Sequence, residues 1–186
     1  MSEPTSPTES ALVVQVPAAE PAVANLRELY DPAARWGVPA HVTILYPFVP
    51  PVDLDDAVMV AVADLVAGFE AFDFSLDKVD QFGTEVLFIR PNPADRFRAL
   101  TDAVADKWPQ HPPYEGVYED VIPHLTVAHT GKGASFDAIR ARVSSELPIQ
   151  TRTATVDLMI GSFEPASWQT IEVFHLNQPA PPATPD

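Results

Sequence analysis

Two short segments of this chain carry the same pattern about half its length apart, His41-Val42-Thr43-Ile44 and His124-Leu125-Thr126-Val127. Side chains alternate along a strand, so His41 and Thr43 leave one face together while Val42 and Ile44 leave the other. The second segment repeats the arrangement with His124 and Thr126 against Leu125 and Val127. Five histidines and twelve threonines in 186 residues predict only about 0.3 chance His-x-Thr matches. Two are present, each on a strand-like run. A chain built this way is expected to place an imidazole and a hydroxyl side by side twice, in two related settings.

The flanking elements repeat in the same order. Ala11–Val16 reads as a strand and Pro21–Tyr30 as a helix, and His41–Tyr46 is a strand between prolines. Asp53–Phe69 reads as a helix with acidic residues at its start, where the helix dipole favours them. Phe72–Val79 alternates apolar and polar, and Glu85–Arg90 is apolar on both faces and therefore central. Asn92 is expected to cap a helix that has Pro93 at its first position and Phe97, Leu100, Thr101, Val104 and Trp108 on its inner stripe. A proline- and aromatic-rich loop, residues 109–123, leads to the strand His124–His129. A helix capped by Ser135, with Phe136, Ile139 and Val143 inside, and strands over Thr153–Ile160 and Gln169–Leu176 complete the pattern.

The expected fold class is α+β: two pseudo-symmetric, mostly antiparallel sheets with helices outside and a central cleft. The domain spans residues 11–176, with lobes of roughly 11–80 and 81–176 between which strands can exchange. Residues 1–10 and 177–186, polar or proline-rich, read as disordered tails. The first ten residues lack the basic and apolar regions of a secretory signal, and no apolar run is long enough to span a membrane. With no cysteine in the chain, disulfides, thiolate metal sites and a cysteine nucleophile are excluded, and the cytoplasm is the expected compartment. The formal charge of −15, from 11 basic and 26 acidic residues, opposes binding along a nucleic-acid duplex. It leaves room for a small phosphorylated nucleotide or an RNA end in a local pocket.

The residue types suit phosphoester chemistry. Imidazoles near pKa 6.5 let one histidine act as base and the other as acid near neutrality. Threonine hydroxyls can donate to phosphate oxygens that gain charge in the transition state. Two histidines make a poor zinc site, which usually needs three protein ligands. Neither metal nor cofactor is expected, and Asp53, Asp55 and Asp56 are assigned to a helix start.

The two segments, within VPAHVTILYPF and IPHLTVAH, resemble the paired signatures of the two-histidine phosphoesterases, the superfamily of 2′-5′ RNA ligases and cyclic nucleotide phosphodiesterases. The resemblance implies a bilobal fold with the motifs lining the cleft. It also implies that His41, Thr43, His124 and Thr126 are catalytic or phosphate-binding. The implied activity is hydrolysis or formation of 2′,5′ or 2′,3′-cyclic phosphodiester bonds. The expected reaction is hydrolysis of cyclic phosphodiester or 2′,5′-phosphodiester bonds in nucleotides or RNA ends, and the expected state is a monomer. The alternative is a catalytically silent module that binds a nucleotide or RNA end. Which histidine is the base stays open, because the halves are equivalent.

Further candidates flank the motifs. Arg35 and Trp36 precede the first one and are expected to overhang the cleft, Arg35 toward phosphate and Trp36 toward a base. Tyr114 and Tyr118 precede the second and are candidates for a nucleobase clamp. Lys132 is assigned to a turn. His129, five residues after His124, is placed on the opposite strand face, His111 in a solvated loop and His175 near a strand end.

Overall fold

A computed structural model describes residues 6–118, 120–131, 133 and 135–178. Lys132, half of the first expected tail and most of the second lie outside these residues. The elements are β1 (Glu9–Gln15), α1 (Glu20–Tyr30), α2 (Pro32–Trp36), β2 (His41–Leu45), α3 (Asp56–Ala67), β3 (Phe72–Phe82), β4 (Val86–Asn92), α4 (Asp95–Lys107), β5 (Leu125–His129), α5 (Phe136–Ser144), β6 (Ile149–Thr153), β7 (Thr155–Gly161) and β8 (Gln169–His175). They form two antiparallel four-stranded sheets, ordered β2-β1-β7-β8 and β5-β4-β3-β6. The α+β class and the two equivalent sheets agree with the reading of the sequence.

The sheets do not divide the chain at residue 80. β3 belongs with β4, β5 and β6, while β7 and β8 return to the sheet begun by β1 and β2. The expected strand Thr153–Ile160 is two strands: β6 ends in one sheet and β7 starts in the other. Thr153 Oγ1 donates to the Thr155 carbonyl at 2.9 Å across this step. The first strand starts at Glu9 rather than Ala11, and Ser10 is buried with its hydroxyl donating to the Val49 carbonyl.

Asn92 is not a helix cap. It ends β4 opposite Ser75, and its amide donates to Asp77 at 2.7 Å. Cross-strand pairing has taken the side chain that a cap would need, and α4 begins at Asp95 with no side-chain cap. α3 is shorter than expected: Asp55 caps it by accepting from the Val58 amide at 2.9 Å. Ser135 caps α5 as expected, accepting from Ala138.

One apolar core runs under both sheets. Leu12, Val14, Val42 and Ile44 contribute from the first and Phe74, Leu76, Leu87, Ile89, Leu125 and Val127 from the second. Phe97 from α4 is fully buried, edge-on to Phe72 and Phe74 at 5.1 and 5.0 Å between ring centres. A side chain buried this way is worth roughly 1.5–3 kcal/mol. Both motif strands are edge strands, and β2 and β5 approach one another. The fold thus brings the two histidine segments together through the open edges of separate sheets.

Each motif strand also carries a bulge at the same place. Val13 pairs with Thr43 and Leu12 with Leu45, leaving Ile44 unpaired. Phe88 pairs with Thr126 and Leu87 with Ala128, leaving Val127 unpaired. An extra residue resets the alternation beyond it. Tyr46 and His129, each five residues after a motif histidine, therefore return to the histidine face.

Candidate active site

His41, Thr43, His124 and Thr126 line one cavity of about 400 Å³. Tyr114 and Tyr118 line it too, as do Asp31, Tyr46, Phe82, Glu85, Asp120 and His129. Arg35 and Trp36 do not. Asp31 caps the short helix α2, accepting from the Ala33 amide at 3.0 Å; this turns Ala33 to the cavity. Arg35 faces a separate surface groove with Glu20 and Glu28, and Trp36 packs edge-on against Phe163 at 5.0 Å. The expected overhang by these two residues is corrected accordingly.

The two histidines are held alike. His41 Nδ1 lies 2.7 Å from the Pro39 carbonyl, and His124 Nδ1 lies 2.7 Å from the Ile122 carbonyl. A carbonyl only accepts, so Nδ1 carries the proton in each neutral ring and Nε2 is the nitrogen with a free lone pair. Phe82 and Phe88 meet the His124 ring edge-on at 5.0 and 5.4 Å. Burial pushes both imidazoles below their ordinary pKa. His41 falls to about 4, with Arg27 adding to the effect of burial and the Pro39 carbonyl and Asp31 opposing it. His124 is lowered by burial and by His129, against the Ile122 carbonyl and Asp31.

His129 is not on the far face of its strand. The bulge at Val127 brings it into the cavity, with Nε2 3.7 Å from Asp31 Oδ1. Tyr46 occupies the corresponding place in the other sheet. Burial and Glu9 push its phenol up to about 12, so it stays protonated as a donor. The shared offset of five from each histidine was a readable sign of both residues, but strict alternation pointed the other way.

The loop before the second motif crosses to the first sheet. The Tyr114 amide donates to the Tyr46 carbonyl at 2.6 Å. Burial raises the Tyr114 pKa, and the Thr43 side chain opposes the rise. Tyr114 and Glu115 both hold left-handed backbone, φ 50° and 57°, a conformation costly for residues with a Cβ and retained where the surroundings enforce it. Tyr118 meets Tyr114 edge-on at 5.8 Å. The two candidate clamp rings are adjacent at the cavity.

Among the described residues, no three His, Asp or Glu side chains are grouped to hold a metal ion. No helix among them is long and apolar enough to cross a membrane.

The model of the 2′-5′ RNA ligase superfamily matches residues 14–162, a span holding both motifs. The chain belongs to the 2′-5′ RNA ligase superfamily. Its fold is shared with several solved structures. The Escherichia coli LigT structure with 3′-AMP superposes with a TM-score of 0.61 at 14% identity, covering 92% of this chain and 99% of LigT. LigT with NADP+ gives 0.58 at 15% identity over the same shares. TT0787 of Thermus thermophilus gives 0.63 at 18% identity, covering 91% of this chain and 98% of its own. No curated protein sequence matches the chain. Superfamily membership and the antiparallel α+β fold are therefore those expected from the paired motifs.

Proposed function

We propose that this protein hydrolyses cyclic phosphodiester or 2′,5′-phosphodiester bonds in nucleotides or RNA ends, using His41 and His124 as acid and base and no metal. One observation carries the reading: both imidazoles line the same cavity with Nδ1 tied to a carbonyl two residues upstream. That constraint leaves two Nε2 atoms available to proton transfer and fixes their tautomers before substrate arrives.

In the proposed reaction one neutral imidazole takes a proton from water, whose oxygen bonds to phosphorus. The other, as imidazolium, protonates the ribose oxygen as its bond to phosphorus breaks. Thr43 and Thr126 donate to the non-bridging oxygens, where negative charge accumulates. Tyr114 and Tyr118 offer flat apolar faces to the base. A small nucleotide or an RNA end suits a cavity of this size, and the ligand named for one LigT structure, 3′-AMP, is of that class. We assign the protein a monomeric state and a cytoplasmic role on the same reading.

The test is turnover. Purified protein is incubated with 2′,3′-cyclic nucleotides and 2′,5′-linked dinucleotides, and the products are separated by chromatography. Conversion of the cyclic nucleotides to nucleoside monophosphates, and of the dinucleotides to a monophosphate and a released nucleoside, is expected. Tight binding of these compounds without conversion would replace the enzyme with a silent binding module.

A further inference from the structure

The charges facing the cavity set a condition on what enters and what leaves. Among the described residues, its lining includes the carboxylates Asp31, Glu85 and Asp120 and no lysine or arginine. Two arginines stand behind the carboxylates. Arg27 reaches Asp31 at 2.9 Å and Arg98 reaches Asp120 at 2.8 Å, and neither arginine lines the cavity. Glu85 is exposed at the rim and forms no ion pair among the described residues. The whole chain adds a background of −15. A charge moving into or out of such a cavity interacts first with the carboxylates, and each further unit of negative charge costs more.

Phosphodiester hydrolysis changes the ligand's charge. A cyclic diester carries one negative charge. Water adds across one P–O bond, the ribose oxygen takes a proton, and the product is a monoester. Its second ionisation, with a pKa of about 6, releases a proton to solvent near neutral pH and leaves close to two negative charges. Resting on the reading above, we infer that this carboxylate-lined cavity selects singly charged phosphodiesters and repels the doubly charged monoester it makes, so that charge drives product release. Glu85 is the residue assigned to this discrimination, as the carboxylate without an arginine behind it. Asp31 and Asp120 contribute less because each is already partly neutralised.

The experiment compares the KM for adenosine 2′,3′-cyclic phosphate with the inhibition constants of adenosine 2′- and 3′-monophosphate at pH 7.5. It uses the full-length wild type and Glu85→Gln. In the wild type each monophosphate should inhibit with a Ki at least tenfold above KM. In Glu85→Gln the Ki/KM ratio should fall at least threefold, because the amide keeps the shape of the rim without its charge. A wild-type Ki equal to or below KM overturns the inference, and so does a ratio that Glu85→Gln leaves unmoved. Failure to turn over any cyclic phosphate is a different outcome: it removes the hydrolase reading on which the inference stands.

Discussion

Arg27 and Asp31 lie one turn apart at the end of α1 and form an ion pair that is 2% and 1% exposed. Arg27 Nε donates to Asp31 Oδ2 at 3.0 Å, while its Nη2, 2.9 Å from the same oxygen, finds no aligned acceptor. Asp31 has three duties: it balances this guanidinium, caps α2, and faces His129 in the cavity. Asp31→Ala should therefore destabilise the protein by about 3–5 kcal/mol, the cost of leaving a buried charge without its partner. Urea unfolding measures it. The double variant Arg27→Met/Asp31→Ala should recover much of the loss, since no charge is then stranded; recovery of none would mean that the cap, not the ion pair, carries the stability.

The motif histidines should matter to rate far more than to folding. His41→Ala and His124→Ala are each expected to lower turnover by about 10²–10⁴, because neither side chain is part of the apolar core. Thr43→Ala and Thr126→Ala should cost less, on the order of one lost donor. Steady-state rates alongside circular dichroism separate the effects. Folded histidine variants with near wild-type turnover would remove the proposed roles.

The rate should depend on pH in a displaced bell. With one imidazole neutral and one charged, kcat/KM reports the free protein, where burial holds both groups below 6.5. Its maximum should fall on the acid side of that value. A bound phosphate anion favours imidazolium, so the kcat profile should lie at higher pH than the kcat/KM profile. Measuring both from pH 4 to 9 checks this; a kcat/KM still rising above pH 7.5 contradicts it.

Stability should follow the same imidazole. His41 has a pKa of about 4 in the folded chain and about 6.5 in the unfolded one. Between those values the unfolded chain binds a proton that the folded chain does not, so stability is lost as pH falls through this window. From pH 7.5 to 5 the loss from this group is about 2 kcal/mol. His41→Asn should show a correspondingly smaller loss in thermal unfolding over that range.

Chelation should leave the rate unchanged. Activity that disappears with EDTA and returns with zinc or magnesium would transfer the chemistry to a metal-bound hydroxide.

The α+β class, most helices and strands, and the four motif residues were legible in the amino-acid order alone. Those features are written in local periodicity: His41 and Thr43 share a face because strands alternate, and Phe97, Leu100 and Val104 share one because helices turn every 3.6 residues. Which strands pair across distance was settled by packing of the whole chain. β3 joins the later sheet, and the chain crosses between sheets at Ala154. Packing also settled where the alternation breaks. The unpaired Ile44 and Val127 bring Tyr46 and His129 into the cavity, because a bulge is a property of two paired strands and neither strand's own pattern contains it. The same holds for charge. Arg35 has the right chemistry for phosphate but sits on the wrong side of a five-residue helix, while Asp31, Glu85 and Asp120, scattered along the chain, meet at one cavity only once the two sheets come together.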